Sequence, residues 1–378
     1  MKARIDELLR TAVERGASDL HLRAGAAPML RVNGEIHRLP GAPLEAAELS
    51  AMLAASMDED TRTEFTANLD ADYAYDVAPL GRFRVNALHD RRGPAAVFRH
   101  IPAAIATVET LGLSVDVQRV CELRRGLVLV TGPTGSGKST TLCALIDQIN
   151  RTRRDHIVTI EDPIEFVHQD VRCVVTQREV GAHTRSFKRA LRAALREDPD
   201  VVLIGEMRDL ETMSIALETA ETGHLVFGTL HTTTATAAVD RIIDQYPTDQ
   251  QEQIRTMLAD TLVAVIAQTL CRRIDGGRVA AREILFNTPA VANLIREGKA
   301  FQISSIMQTS RAQGMVTLNA ALEALVDQRV IDAAEAYSHA VEKPSLLATL
   351  KRKGVPLLGI DDPAGSRAQM LLGQRMVG

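Results

Sequence analysis

The chain has few cysteines, no excess of positive charge and no long apolar run, and each scarcity excludes something. Only four cysteines occur in 378 residues, Cys121, Cys143, Cys173 and Cys271, and no two form a C-x-x-C pair. That spacing argues against zinc and against a disulfide framework, and it fits reduced thiols in the cytoplasm. Lysine and arginine number 44 against 48 aspartate and glutamate, a net charge of −4. Such a balance is not that of a polyanion binder, so nucleic acid is disfavoured as the main partner, with local basic patches left open. No window approaches the roughly eighteen uninterrupted apolar residues of a membrane-spanning helix. Met1–Arg15 alternates charged with apolar residues instead of carrying a signal-peptide core. No transmembrane segment is expected, although docking on a membrane protein stays open.

What is present divides near residue 100. A length of 378 residues predicts two domains, each long enough to bury a core. Ile5, Leu8, Leu9, Ala12 and Val13 have helical spacing and stop at Gly16, a fitting residue after a helix C-terminus. Leu20–Leu22 and Leu30–Val32 read as strands, the second joined to Glu35–Arg38 through the turn Asn33-Gly34. A helical stretch around 45–67 precedes three more strand candidates, Asp70–Val77, Arg82–Leu88 and Ala95–His100. Residues 1–100 therefore read as a small α+β domain. Residues 101–114, with Pro102 and several alanines, read as a linker.

From 115 to 343 the pattern changes to helices alternating with very apolar strands at 127–131, 156–161, 171–175, 201–205 and 225–229. Strands buried on both faces of a parallel sheet have this composition. Beyond about 248 the pattern is mainly helical. The stretch 344–378, with Gly, Pro and Arg scattered through it, reads as an irregular C-terminal tail.

The most specific local signal is Thr131-Gly132-Pro133-Thr134-Gly135-Ser136-Gly137-Lys138-Ser139-Thr140-Thr141. Gly132-x4-Gly137-Lys138-Ser139 is a complete P-loop, set between the strand-like Leu127–Val130 and the helix-like Leu142–Ile149. Glycines let backbone N–H groups curl around phosphate oxygens, and the helix N-terminus adds its positive dipole end. Lys138 is expected to reach the β- and γ-phosphates of ATP and Ser139 to complete Mg²⁺ coordination.

Three downstream segments supply what phosphoryl transfer requires. Ile157–Ile160 delivers Glu161, Asp162 and Glu165 to the C-terminal end of a strand, where ligands sit in open α/β sheets. Glu161 is the candidate for orienting or deprotonating water, and Glu165 reads as a turn cap. Asp200–Ile204 ends in Gly205-Glu206, a Walker B shape with Gly-Glu where an aspartate is usual. Glu206 can hold Mg²⁺ through a water or position the nucleophile, and sequence does not divide those roles between Glu206 and Glu161. His224 and His231 bracket the third strand at a spacing of seven, unsuited to a compact metal site. A γ-phosphate sensor at His231 or Thr229 is the more natural reading, favoured for His231 over His224. Arg189, Arg192 and Arg196 flank an apolar helical face, and Arg189 reads as solvated.

The set GPTGSGKSTTL (132–142), TIEDPIEF (159–166), ALREDPDVVLIGEMRDLET (194–212) and ETGHLVFGTLHTT (221–233) resembles the type II/type IV secretion ATPase superfamily. Within it the chain looks like the type IV pilus retraction ATPases, the PilT type. Three features carry that narrower likeness: Ser18-Asp19-Leu20-His21-Leu22 in a short N-terminal domain, Gly81–Asn86, and Ala290–Glu297. The last is close to the retraction signature AIRNLIRE, with Val291 and Ala292 replacing Ile and Arg. The likeness runs from residue 1 to about 340.

The resemblance implies an α/β fold with a PAS-like N-terminal domain, a RecA-like ATPase domain and a helical C-terminal part. It implies that Gly132–Thr140 bind ATP, that Glu161 is the Asp-box carboxylate, Glu206 the Walker B acid, and His224 and His231 the His-box pair. Arg82, Arg84 and Arg99 are then candidates for reaching nucleotide from the N-terminal domain, with structural salt bridging the alternative for Arg84 and Arg99. The implied protein is a homohexameric, Mg²⁺-dependent ATP-hydrolysing motor, cytoplasmic and peripheral at the inner membrane, acting on a pilus platform protein, with a paralogous ATPase as a further candidate partner. A pilus-assembly or type II secretion ATPase is the nearest rival. It usually adds an N-terminal docking domain and a tetracysteine insertion, for which this sequence has no room and no paired cysteines. A DNA-handling P-loop motor would call for a basic channel, and a nucleotide-gated adaptor would not call for both Glu161 and Glu206.

Overall fold

The computed structural model describes residues 1–32, 34–101 and 105–357. Asn33 of the expected turn, residues 102–104 of the expected linker and 358–378 of the expected tail lie outside the described residues. Its strands run in chain order as β1 Asp19–Arg23, β2 Met29–Val32, β3 Glu35–Arg38, β4 Asp70–Val77, β5 Gly81–Asp90, β6 Gly93–Ile101 and β7 Gly126–Thr131. They continue as β8 His156–Glu161, β9 Val174–Glu179, β10 Val201–Ile204, β11 Leu225–Leu230, β12 Leu262–Arg272 and β13 Arg278–Phe286. The chain divides into two compact units, residues 1–111 with 143–199, and residues 112–142 with 200–378.

In the first unit, β1–β6 form an antiparallel sheet in the order β3-β2-β1-β6-β5-β4. One face is apolar because alternate residues point the same way. Leu20, Leu22, Leu30, Phe83, Val85, Phe98 and Ala96 share a core with the helices Lys2–Glu14 and Ala46–Ser56. The first of these helices buries Ile5, Leu9 and Ala12 at helical spacing and ends before Gly16, whose φ of 64° is the left-handed value that spacing predicts. The other face carries arginines: Arg84 stands directly opposite Arg99, and Asp19 stands opposite both Arg99 and Arg31.

The same unit holds the parallel pair β8–β9. The sequence places a strand at 171–175, whereas β9 starts at Val174. The physical reason is Asn150, whose Oδ1 accepts from the backbone N–H groups of Val171 (3.2 Å) and Cys173 (3.3 Å), diverting that segment from a ladder.

In the second unit, β12, β7, β11 and β10 lie side by side and parallel, and β13 pairs antiparallel with β12. Every residue of β7, β10 and β11 is buried, as strands covered on both faces must be. After 248 the chain is mainly helical as expected, and the hairpin β12–β13 is the addition that the sequence reading missed. Its turn contains Gly276 and Gly277 at φ 94° and 77°, and Arg273 bonds both carboxylate oxygens of Asp275 across it. The expected irregularity after 343 is corrected for the helix Lys343–Arg352. Pro344 sits in its first turn, where no N–H is missed, and Leu346 and Leu350 bury one face.

Candidate nucleotide site

The parallel register brings three chain segments of the second unit to one edge. Thr131, the last residue of β7, pairs with Leu230, the last of β11, and Ile204, the last of β10, pairs with Gly228. The P-loop, His231 and Gly205-Glu206 therefore all leave the sheet at its C-terminal edge, where open α/β sheets bind ligands.

Gly132, Gly135 and Gly137 take φ values of 144°, 79° and 85°, which side chains disfavour. Close approach also matters at Gly132, where a Cβ would meet the Gln268 carbonyl oxygen at 2.2 Å and Ser136 Oγ at 2.5 Å. Pro133, Thr134 and Gly135 form the exposed rim, and Ser136 is buried. Lys138 opens the helix Lys138–Thr152, and its ammonium donates to the carbonyls of Gly132 (2.9 Å) and Pro133 (3.1 Å). Ser139 and Thr140 follow in the first turn, half-buried.

Gln268, on β12, is a functional residue that sequence reasoning missed. Its Nε2 donates to the Ser136 carbonyl (2.7 Å) and its Oε1 accepts from Thr141 Oγ1 (2.9 Å), so one buried amide clamps the loop to the neighbouring strand. The available signal was a lone amide in the otherwise apolar run 262–268, since a polar group buried there needs partners.

Glu206 takes both Nε (2.6 Å) and Nη2 (2.7 Å) of Arg208 on its carboxylate and His231 Nε2 at 2.9 Å. The Arg208 bond above all, with His231 adding to it, holds its carboxyl below the usual range against the opposing effect of burial. Thr229 Oγ1 donates to the Gly205 carbonyl, and Met207 N–H to the Thr229 carbonyl (3.1 Å), fixing the segment that presents Glu206. His224 goes elsewhere. It precedes β11 at the opposite edge of the sheet, where Nδ1 meets the Thr219 carbonyl (3.0 Å) and its own carbonyl accepts from Gly126 N–H (3.0 Å). The structure joins His231 to Glu206 and keeps His224 a strand length away.

In the first unit, Glu161 ends β8 and Glu179 ends β9 opposite it. Glu161 is buried, and burial raises its pKa above the usual 4.5. Bonds from Thr159 Oγ1 (2.6 Å) and Gln177 Nε2 (3.1 Å) oppose that shift. Arg82 donates through Nη2 to Glu179 (2.9 Å), which also accepts from the Ile164 N–H (3.0 Å). Arg84 lies 4.0 Å from Asp72, and Arg99 donates through Nε to the buried Asp19 at 2.8 Å. Glu179 and Gln177 were not singled out from the sequence. Their importance comes from partners up to 97 residues away, which no local pattern encodes.

The family described as Type II/IV secretion system protein matches residues 1–338. The chain belongs to that family. Among the secretion family's curated members, the type IV pilus retraction ATPase PilT of Pseudomonas aeruginosa is 52% identical over 327 residues, 86% of this chain and 95% of that protein. The type IV pilus ATPase PilU of the same organism is 40% identical over 377 residues, 96% of this chain and 99% of that protein. A crystal structure of the pilus retraction motor PilT with bound ADP superposes with a TM-score of 0.85 at 46% identity, over 91% of this chain and 99% of that one. The fold is thus the mixed α/β fold of this family. Its P-loop fits a nucleotide on this structure's own terms: glycine φ values, a loop too close for a Cβ, and a buried Ser136 hydroxyl with no hydrogen-bond partner. No helix among the described residues is long and apolar enough to cross a membrane.

Proposed function

We propose that the chain is an ATP-hydrolysing motor that powers type IV pilus retraction. The observation that carries this reading is 52% identity to a retraction ATPase across 95% of that protein's length. The P-loop, Gln268, Glu206 and His231 supply the matching chemistry in this chain. Gly132–Thr140 hold the phosphates, with Lys138 leaving the Gly132 and Pro133 carbonyls for the β- and γ-oxygens. Ser139 and Glu206, the latter through water, would hold Mg²⁺, which would supply charge neutralisation at the phosphates. Glu161, with its raised pKa, takes the proton of the attacking water. His231 senses the terminal phosphate and transmits it to Glu206 through their hydrogen bond. His224, at the far edge of the sheet, takes no part in this contact.

Residues 1–100 act as the N-terminal domain, 101–114 as the linker and 115–343 as the motor domain, with 344–378 following. Arg82, Arg84 and Arg99 are the arginines through which the N-terminal domain meets nucleotide, so that closure and hydrolysis are coupled. The working unit is a cytoplasmic homohexamer, peripheral at the inner membrane, that acts on the pilus platform protein and drives twitching motility. Turnover by the purified protein tests the enzymatic part. Lys138→Ala should abolish it, and Glu206→Ala should lower kcat by about 10²–10³ while nucleotide still binds. Unchanged turnover in Glu206→Ala would refute the mechanism.

A second reading is favoured by one observation. The match to PilU extends over 96% of this chain, beyond the 86% matched by PilT. On that reading the chain is a type IV pilus ATPase whose task within the pilus system is not retraction itself, and its deletion would leave retraction intact.

A further inference from the structure

Outside the nucleotide site, among the described residues, a cluster joins three different metal-binding side chains. Cys271 of β12 and Glu335 and His339 of the helix Ala333–His339 bring Sγ, a carboxylate oxygen and a ring nitrogen within 4.8 Å of one another. We propose that Cys271, Glu335 and His339 form a zinc site, completed by one water, that ties the helix Ala333–His339 to strand β12. The proposal does not depend on the function argued above.

The geometry favours it at each level. Glu335 and His339 are four residues apart, so both project from one helix face toward the strand. Cys271 is fully buried, and Leu318, Leu322, Ala336, Leu346 and Leu350 belong to the same apolar cluster, so the thiol side of the site is shielded while the half-buried Glu335 and His339 leave room for one water. His339 Nδ1 lies 3.1 Å from Thr269 Oγ1, leaving Nε2 toward Glu335 at 3.2 Å. That is the arrangement of a ligating histidine, whose second nitrogen is fixed by an outer hydrogen bond. Glu335 is itself oriented by the Arg272 backbone N–H at 2.7 Å and by Arg272 Nε at 3.4 Å. One thiolate, one imidazole and one carboxylate suit Zn²⁺, with bonds of about 2.0–2.3 Å, and a water fills the fourth position. Binding replaces the His339–Glu335 hydrogen bond and displaces the Cys271 thiol proton to solvent, so the site gains S–Zn and loses S–H. Paired cysteines are not required, which is why their absence from the sequence hid this site.

The test uses the full-length protein purified without a metal-binding tag. Metal content is measured directly, and the chelator-stripped protein is then titrated with Co²⁺ as a spectroscopic probe. The expected result is one zinc per chain, a thiolate-to-cobalt charge-transfer band on titration, and a melting temperature that drops on stripping and recovers with Zn²⁺. Cys271→Ser and His339→Gln should each abolish the band, and Thr269→Val should weaken affinity about 10–100-fold. His339→Gln keeps an amide to bond Glu335, so it reports on the metal even if Cys271→Ser fails to fold. Wild-type protein that binds Co²⁺ without a thiolate band, or binds none, overturns the site. So does a folded Cys271→Ser variant that keeps stoichiometric zinc.

Discussion

Glu161 and Glu206 are pushed in opposite directions by their surroundings, and this separates their chemistry. Burial raises the Glu161 pKa, so its charged form appears only above the ordinary 4.5. Arg208 and His231 lower that of Glu206, so it stays ionised as the solution is acidified through 4.5. The sign follows by linkage. Glu206 contributes stability above its unfolded value and loses it as pH falls through its lower folded value. Ionising Glu161 opposes folding as pH rises above 4.5. The acid limb of the kcat–pH profile should therefore lie above 4.5 and belong to Glu161. Measured between pH 4.5 and 8, Glu161→Asp should move that limb, and Arg208→Ala should leave it in place. A limb that moved with Arg208→Ala would assign it to Glu206 instead. The P-loop was fully legible at this scale because its information is local, a glycine spacing that fixes φ and approach. The Arg208 and His231 bonds to Glu206 were not read from the strand that carries it. His231 reaches it from 25 residues away, through a parallel register.

Among the elements, strand β12 matters most to the nucleotide site. The Gln268 amide links that strand to the phosphate loop, and the sequence reading lacked it. Gln268→Leu would leave the Ser136 carbonyl and the Thr141 hydroxyl unpaired at a buried position, a cost of about 1–3 kcal/mol. Nucleotide affinity should fall about tenfold or more, and the melting temperature of the free protein should fall with it. A fluorescent nucleotide titration and a thermal melt check both. Gly132→Ala acts through sterics where the loop approaches the same strand, because its Cβ would lie 2.2 Å from the main-chain carbonyl oxygen of Gln268. It should abolish nucleotide binding. β7, β8, β10 and β11 were read from their apolar runs, since strands buried on both faces have little else in them. β12 escaped because Leu262–Cys271 is long and alanine-containing, and such a run fits a buried helix or a strand equally well. The start of β9 escaped because Asn150 captures the backbone before it, a side-chain effect invisible to periodicity. Asn150→Ala should expose this. It would strip two N–H groups of their partner and destabilise the fold by about 1–3 kcal/mol in a denaturant melt.

In the second unit the P-loop, Glu206 and His231 leave one edge of a parallel sheet, and in the first unit Arg84 and Arg99 share one face of an antiparallel sheet. The first was foreseeable from motif order, since strand, loop and helix recur at each motif. The arginine face was partly foreseeable, because Arg82, Arg84 and Arg99 alternate with apolar residues. Their actual partners, Glu179, Asp72 and Asp19, required the fold. The central claim, retraction driven by this chain, is tested most directly by counting surface pili and scoring twitching in a deletion strain of the organism that carries it. Complementation with wild type is compared with Lys138→Ala. The account predicts excess pili and lost motility on deletion, restored by the wild type and not by Lys138→Ala. Bare cells would contradict it and assign the chain to pilus assembly.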